Sequence, residues 1–177
     1  IEETVSQVEK ELGPVSGSVF VAGVLHPATA TEELRVEDWE RVHDTNVVGA
    51  LRVAKTIVPQ MKKRRYGRLV HIASWWGYYG HAFFAPYGSS KAALMSLTQS
   101  MAEELGPTGV TVNSVSPGMI DTPMHKSAIE TEAAERNLSF EEMQAIEWAK
   151  IPIGYAGPPA AISDAVSFLL SRRSGYI

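Results

Sequence analysis

Residues 68–91 read RLVHIASWWGYYGHAFFAPYGSSK, and this stretch decides the fold. Residues 68–73 (RLVHIA) are of strand length, with β-branched Val70 and Ile72, and read as a strand. Pro86 then opens a helical pattern from Tyr87 to Leu105, which Gly106-Pro107 closes. A strand feeding a helix long enough to cross back over a sheet is half of a βαβ unit.

Working outward, the same alternation recurs. Upstream, Ile1, Val5, Val8 and Leu12 fall at helical spacing before Gly13-Pro14, residues 19–24 read as a buried strand, and 37–63 read as one helix ending in basic Lys62, Lys63, Arg64 and Arg65. Downstream, 111–115 read as a third strand ended by Pro117-Gly118. Ser139 and Glu142 form a capping box for a helix to Trp148, and Pro158 suits the first turn of a helix to Leu170. Strands alternating with helices predict an α/β fold, a parallel sheet covered on both faces in one domain spanning 1–177. The segment at about 125–150 is longer than a simple connection and acidic in its middle.

Composition narrows the partners. The chain has 177 residues, 45% hydrophobic and 20% charged, with a net charge of -4, which argues against a nucleic-acid surface. There is no cysteine, so disulfide scaffolds and thiolate metal sites are excluded and a cytoplasmic location is expected. No apolar run reaches the length of a membrane span. His26, His43, His71, His81 and His125 lack metal-ligand spacing, so no metal is expected.

The chemistry concentrates where a parallel sheet binds ligands, at the carboxyl ends of its strands. Ser74 lies just past the strand at 68–73. Tyr87 and Lys91 are four apart, so they share one helix face, and an ammonium beside a phenol is expected to lower the phenol's pKa. Asn46 sits mid-helix, where its propensity is poor, and needs a hydrogen-bond partner if buried. Pro117-Gly118-Met119-Ile120-Asp121-Thr122 follows the third strand at the same end of the sheet. Trp75, Trp76, Tyr78, Tyr79, Phe83 and Phe84 admit two readings: packing in the core or between subunits, or the wall of a substrate pocket. Met119, Met124 and Met143 could add adaptable walls.

Ser74, Tyr87-x-x-x-Lys91, Asn46 and Pro117-Gly118-x-x-x-Thr122, with Ala92-Ala93 and VTVNSVSPG at 110–118, resemble the short-chain dehydrogenase/reductase family from residue 1 to residue 177. The resemblance implies a Rossmann-like, doubly wound parallel sheet, and an oxidoreductase passing hydride between NAD or NADP and an alcohol or carbonyl. It implies Tyr87 as general acid/base, Ser74 stabilising the substrate oxygen, Lys91 lowering the Tyr87 pKa and binding the nicotinamide ribose, and Asn46 holding a relay water. Pro117 and Gly118 would let the backbone approach the nicotinamide, and the Ile120 main chain and Thr122 would anchor its carboxamide. Ala22-Gly23 would match the end of the family's Asn-Ala-Gly turn, where Phe20-Val21 departs from the pattern and puts local stability in question. The segment at 125–150 is expected to close over substrate as a mobile lid. A homodimer or homotetramer is expected through the helices around 38–63 and 87–105.

No Gly-x-Gly occurs in the chain. The family carries about three further strands and two helices, with the pyrophosphate loop, ahead of the helix that opens this sequence. Residues 174–177 resemble the lead-in to a final strand. The chain therefore reads as the C-terminal portion of the fold, binding cofactor poorly by itself. Two other functions stay open: a non-catalytic relative kept for binding or assembly, and an NAD(P)-using epimerase or dehydratase. The expected substrate is an apolar, cyclic or aromatic, alcohol or ketone.

Overall fold

A computed structural model describes the backbone of residues 1–177 and every side chain except that of Glu135. Three strands, β1 (Gly17–Phe20), β2 (Gly67–Ile72) and β3 (Val110–Val115), form a parallel sheet in the order β1-β2-β3. The register pairs Phe20 with His71, and Ile72 with Val115. The helices are α1 (Glu2–Leu12), α2 (Val36–His43), α3 (Gly49–Arg64), α4 (Ala85–Leu105), α5 (Pro123–Arg136), α6 (Phe140–Trp148) and α7 (Pro159–Leu170). The alternation of buried strands with long helices is therefore the α/β arrangement the pattern implies.

The chain folds as two compact units, residues 1–116 with 166–177, and residues 117–165. In the first, Ala54, Ile57 and Met61 of α3 and Met101 and Leu105 of α4 pack with Leu69, Val110 and Val112 of the sheet. A smaller group joins Phe20, Ala50 and Leu94. Full burial of side chains of this size is worth about 1.5–3 kcal/mol each, which makes this packing the main force holding the first unit. In the second unit, Ile129 and Ala133 of α5 enclose Met143 of α6, with Leu138 and Phe140 against them. Met143 is fully buried there, so it is core and not an adaptable wall. Ser139 Oγ accepts from Glu142 N while the Glu142 carboxylate accepts from Ser139 N, the capping box expected of α6.

Three elements differ from the sequence reading. Strand β1 stops at Phe20 instead of Val24, because the Val24 N–H and C=O bond the Asn46 side chain, at 2.8 and 3.1 Å, rather than a neighbouring strand. The helix expected over 37–63 is interrupted by a wider π-helical turn at Asp44–Val48, which turns Asn46 into the interior. Helix α5 occupies what the sequence reads as a long connection, and Thr122-Pro123 opens it with a capping residue followed by proline at the first helical position.

Candidate active site

Ser74 follows β2 directly and caps a short 3-10 turn, Trp75–Gly77, by accepting from Trp76 N at 3.2 Å. Its hydroxyl proton remains free to donate. Tyr87 and Lys91 lie in the first turns of α4. Lys91 is buried, and its Nζ donates to the Ile72 carbonyl at 2.8 Å and sits 5.6 Å from the centroid of the Tyr87 ring. Burial pushes the Lys91 ammonium down to about 8. A Cβ on Gly23 would lie 3.3 Å from that Nζ, so the loop after β1 approaches the cation more closely than a side chain would permit without adjustment.

The Tyr87 phenol behaves otherwise than expected. Burial raises its pKa above the ordinary value, and the nearby Ser74 hydroxyl tempers the rise. Desolvation of the phenolate is the leading cause, and the Lys91 ammonium 5.6 Å from the ring centroid does not reverse the sign.

Asn46 is fully buried, and its side chain is committed: Oδ1 to Val24 N, Nδ2 to Val24 O and to Ser90 Oγ at 2.9 Å. Both amide hydrogens are thereby used, so the side chain has no donor left for a water.

The aromatic cluster divides. Trp76 stands edge-on to Tyr87 at 5.7 Å, tilts on Phe84 at 5.1 Å and stacks on His81 at 4.2 Å. Trp75, Tyr78, Tyr79 and Phe83 are exposed. A cavity of about 510 Å³ runs between Tyr78, Tyr79 and His81 and the face of α4 carrying Ala85, Gly88, Ser89 and Ala92. That face is turned well away from Tyr87 and Lys91 at 100° per residue, so this cavity is not the cleft at Tyr87. The sequence offers no metal-ligand spacing around His26 and no other signal for it. His26 is buried with neither ring nitrogen partnered, edge-on to Phe84 at 5.8 Å.

The second unit carries the Pro117–Thr122 motif. Thr122 caps α5, its Oγ1 accepting from His125 N at 3.3 Å. Ile120 bridges Gly157, with Asp121 N donating to Gly157 O at 2.8 Å, so this stretch is held in extended form. Lys126 pairs with Asp121 at 3.1 Å.

Comparison with known proteins places this geometry. The model of the short chain dehydrogenase family matches residues 1–133. The chain belongs to the short-chain dehydrogenase family. The 3-oxoacyl-[acyl-carrier-protein] reductase FabG of Vibrio cholerae is 33% identical over 177 residues, which is all of this chain and 68% of that protein. A variant of actinorhodin polyketide ketoreductase, solved with NADPH, superposes with a TM-score of 0.93 at 35% identity over 99% of this chain and 68% of that one. An NAD+-bound xylitol dehydrogenase gives 0.89 at 29% identity, over 99% of this chain and 70% of that one. These neighbours bear out the Rossmann-like fold class, of which this chain holds three strands.

Against this family background, the departure at Phe20-Val21 is resolved locally. Phe20 packs into the core with Ala50 and Leu94, edge-on to His71 at 6.3 Å, and Gly49 makes room for it, since a Cβ there would meet Phe20 Cζ at 3.0 Å. Burial of the ring thus stabilises this turn of the short-chain dehydrogenase, where loss of hydrogen bonds was expected to weaken it. Among the described residues, no group of three or more His, Cys, Asp or Glu could hold a metal, and no helix is long and apolar enough to cross a membrane.

Proposed function

We propose that this chain is the catalytic portion of an NAD(P)-dependent oxidoreductase that reduces a ketone to an alcohol, with Tyr87 as proton donor. The observation that carries the reading is the gathering of Ser74, Tyr87 and Lys91 at the carboxyl end of β2, with Lys91 held against the Ile72 carbonyl. The neighbours solved with NADPH or NAD+ support the cofactor class. So does the donor set: Lys91 Nζ serves one carbonyl where an ammonium can serve three acceptors, leaving donors for ribose hydroxyls. When bound, the reduced nucleotide supplies the hydride.

The protein's residues supply the rest. Ser74 Oγ accepts from Trp76 N, so its own proton is available to the substrate oxygen. Tyr87 Oη gives that oxygen its proton. A phenol is protonated at neutral pH and burial raises its pKa further, so Tyr87 holds the form that reduction requires. Lys91, with a pKa of about 8, is roughly nine-tenths charged at neutral pH and binds the ribose. Because both Asn46 amide hydrogens are committed, any relay water at this residue would have to donate to a carbonyl oxygen, Oδ1 or that of the main chain. The roles of Pro117, Gly118, Ile120 and Thr122 toward the carboxamide, and of Ala22 and Gly23 toward the adenosine half, rest on the family resemblance. The lid reading of residues 125–150 gains a physical form: α5 and α6 share a core, so such a lid would move as one body.

Trp76, edge-on to Tyr87 and tilted on Phe84, favours an apolar ring-bearing ketone. The Vibrio cholerae relative, named for a 3-oxoacyl carrier-protein substrate, makes a thioester the first competitor to assay. A homodimer or homotetramer through the helices around 38–63 and 87–105 is supported by the exposure of Val48 and Leu51 on the first of them, and a strict monomer by light scattering would oppose it. The absence of cysteine supports a cytoplasmic location. Relatives named as reductases and dehydrogenases lend no support to the non-catalytic or epimerase readings.

The test uses the full-length protein with panels of cyclic ketones, short keto acids and acyl thioesters, following oxidation of NAD(P)H. Tyr87→Phe should abolish turnover while nucleotide binding persists. Turnover surviving within about tenfold of wild type, some 1.4 kcal/mol in the barrier, refutes the role of Tyr87.

A further inference from the structure

Ser90 lies between Tyr87 and Lys91 on α4 and is fully buried. Its hydroxyl meets two atoms, Asn46 Nδ2 at 2.9 Å and the main-chain carbonyl of Tyr87 at 2.7 Å. The direction of every bond in this group follows from chemistry. The Val24 N–H can only donate, so the Asn46 atom 2.8 Å from it is the oxygen, Oδ1. That settles the amide orientation, and Nδ2 faces the Val24 carbonyl and Ser90 Oγ. The Tyr87 carbonyl can only accept, so it takes the single proton of Ser90, and Ser90 accepts from Asn46.

We propose that Ser90 is a positioning residue for Tyr87, its hydroxyl coupling the loop after β1, through Asn46, to the helical turn that presents the phenol. The proposal rests on the reading of Tyr87 as proton donor. A serine bonding a carbonyl one turn back is common in helices and would by itself be local satisfaction. Here the same oxygen also takes an N–H from an amide 44 residues away, whose other atoms hold Val24. The bonds thus run from the loop after β1, through the π-helical turn, to the first turns of α4. Lys91, the next residue, ties that helix to the end of β2 through Ile72 O. On the other side, Trp76 meets the Tyr87 ring edge-on. The phenol is therefore set between an aromatic contact at its ring and a hydrogen-bonded anchor at its backbone. Alanine at 90 leaves one buried Asn46 N–H without an acceptor and frees the turn to shift against Trp76, changing how Tyr87 Oη meets Ser74.

The test compares Ser90→Ala, Ser90→Thr and Ser90→Cys in the full-length protein. In Ser90→Ala, kcat should fall by about tenfold or more while KM stays within about threefold, and Ser90→Thr, which retains the hydroxyl, should recover most of it. A second readout needs no turnover. The Tyr87 phenol titration, followed by 13C NMR at Cζ with Tyr87→Phe assigning the signal, should move by about half a unit or more in Ser90→Ala and return in Ser90→Thr. Should Ser90→Ala fail to fold, Ser90→Cys keeps the volume, weakens both bonds and carries the same comparison. A lowered melting temperature with kcat and the phenol titration unchanged overturns the proposal and leaves Ser90 a structural residue. A moved titration in a protein that turns over no ketone sustains the positioning role and refutes the proposed reaction.

Discussion

His71 offers the sharpest link between this fold and pH. It lies on β2 in the core, edge-on to Phe20, with Nδ1 2.8 Å from Thr98 Oγ1. Thr98 gives its own proton to the Leu94 carbonyl at 2.7 Å, so Thr98 accepts and His71 donates from Nδ1. Burial lowers the His71 pKa from 6.5 to about 4. The folded state therefore refuses a proton that the unfolded chain accepts below pH 6.5. Stability from this group is complete above 6.5 and falls as pH drops toward 4. At about pH 4.5 the loss amounts to about 2.5 kcal/mol, a large fraction of an ordinary folding free energy. The perturbation is His71→Phe, which removes the titrating ring and leaves the Thr98 proton satisfied by Leu94. Urea unfolding of both proteins at pH 7 and 4.5 separates this effect from the carboxylates, which titrate in both. Wild type should lose about 2.5 kcal/mol more than the variant over that interval. Parallel acid limbs, or an imidazole NMR midpoint near 6, would refute the argument.

Two further outcomes follow from the geometry. The Lys91 pKa of about 8 against 10.5 unfolded means that the folded state releases its proton first, so stability should rise from pH 8 toward 10, and Lys91→Met should flatten that rise in urea titrations kept below the range where Tyr87 ionises. Gly109 has φ +86, and a Cβ there would lie 2.4 Å from Arg65 O, whereas Gly13 has φ +89 and open space around it. Gly109→Ala should cost about 2 kcal/mol or more and Gly13→Ala about 1, by urea unfolding, and equal losses would show that the Arg65 contact yields freely.

Much of the first unit was legible because its signals are local. The β-branched residues of β2, Pro86 at the head of α4 and Gly106-Pro107 after it are each decided within a few residues, so the positions of Ser74 after β2 and of Tyr87 and Lys91 in the first turns of α4 follow from the sequence. The sign of the Tyr87 shift was misjudged because sequence shows the neighbouring cation but not the burial, and burial dominates. The Phe20 departure was misjudged in the same way: a missing polar side chain is visible in sequence, and a glycine 29 positions away that admits the ring is not.

Asn46 marks where local reading stops. Its poor helix propensity announced that something nonlocal must satisfy it, and a buried amide without partners would cost about 1–3 kcal/mol. The helix around it does widen to let it point inward. Which groups receive it depends on contacts 22 and 44 residues away, and no periodicity or spacing rule reaches that far. A polar residue in a helical run therefore identifies a buried constraint, and the fold alone decides that the constraint binds the loop after β1 to the turn carrying Tyr87.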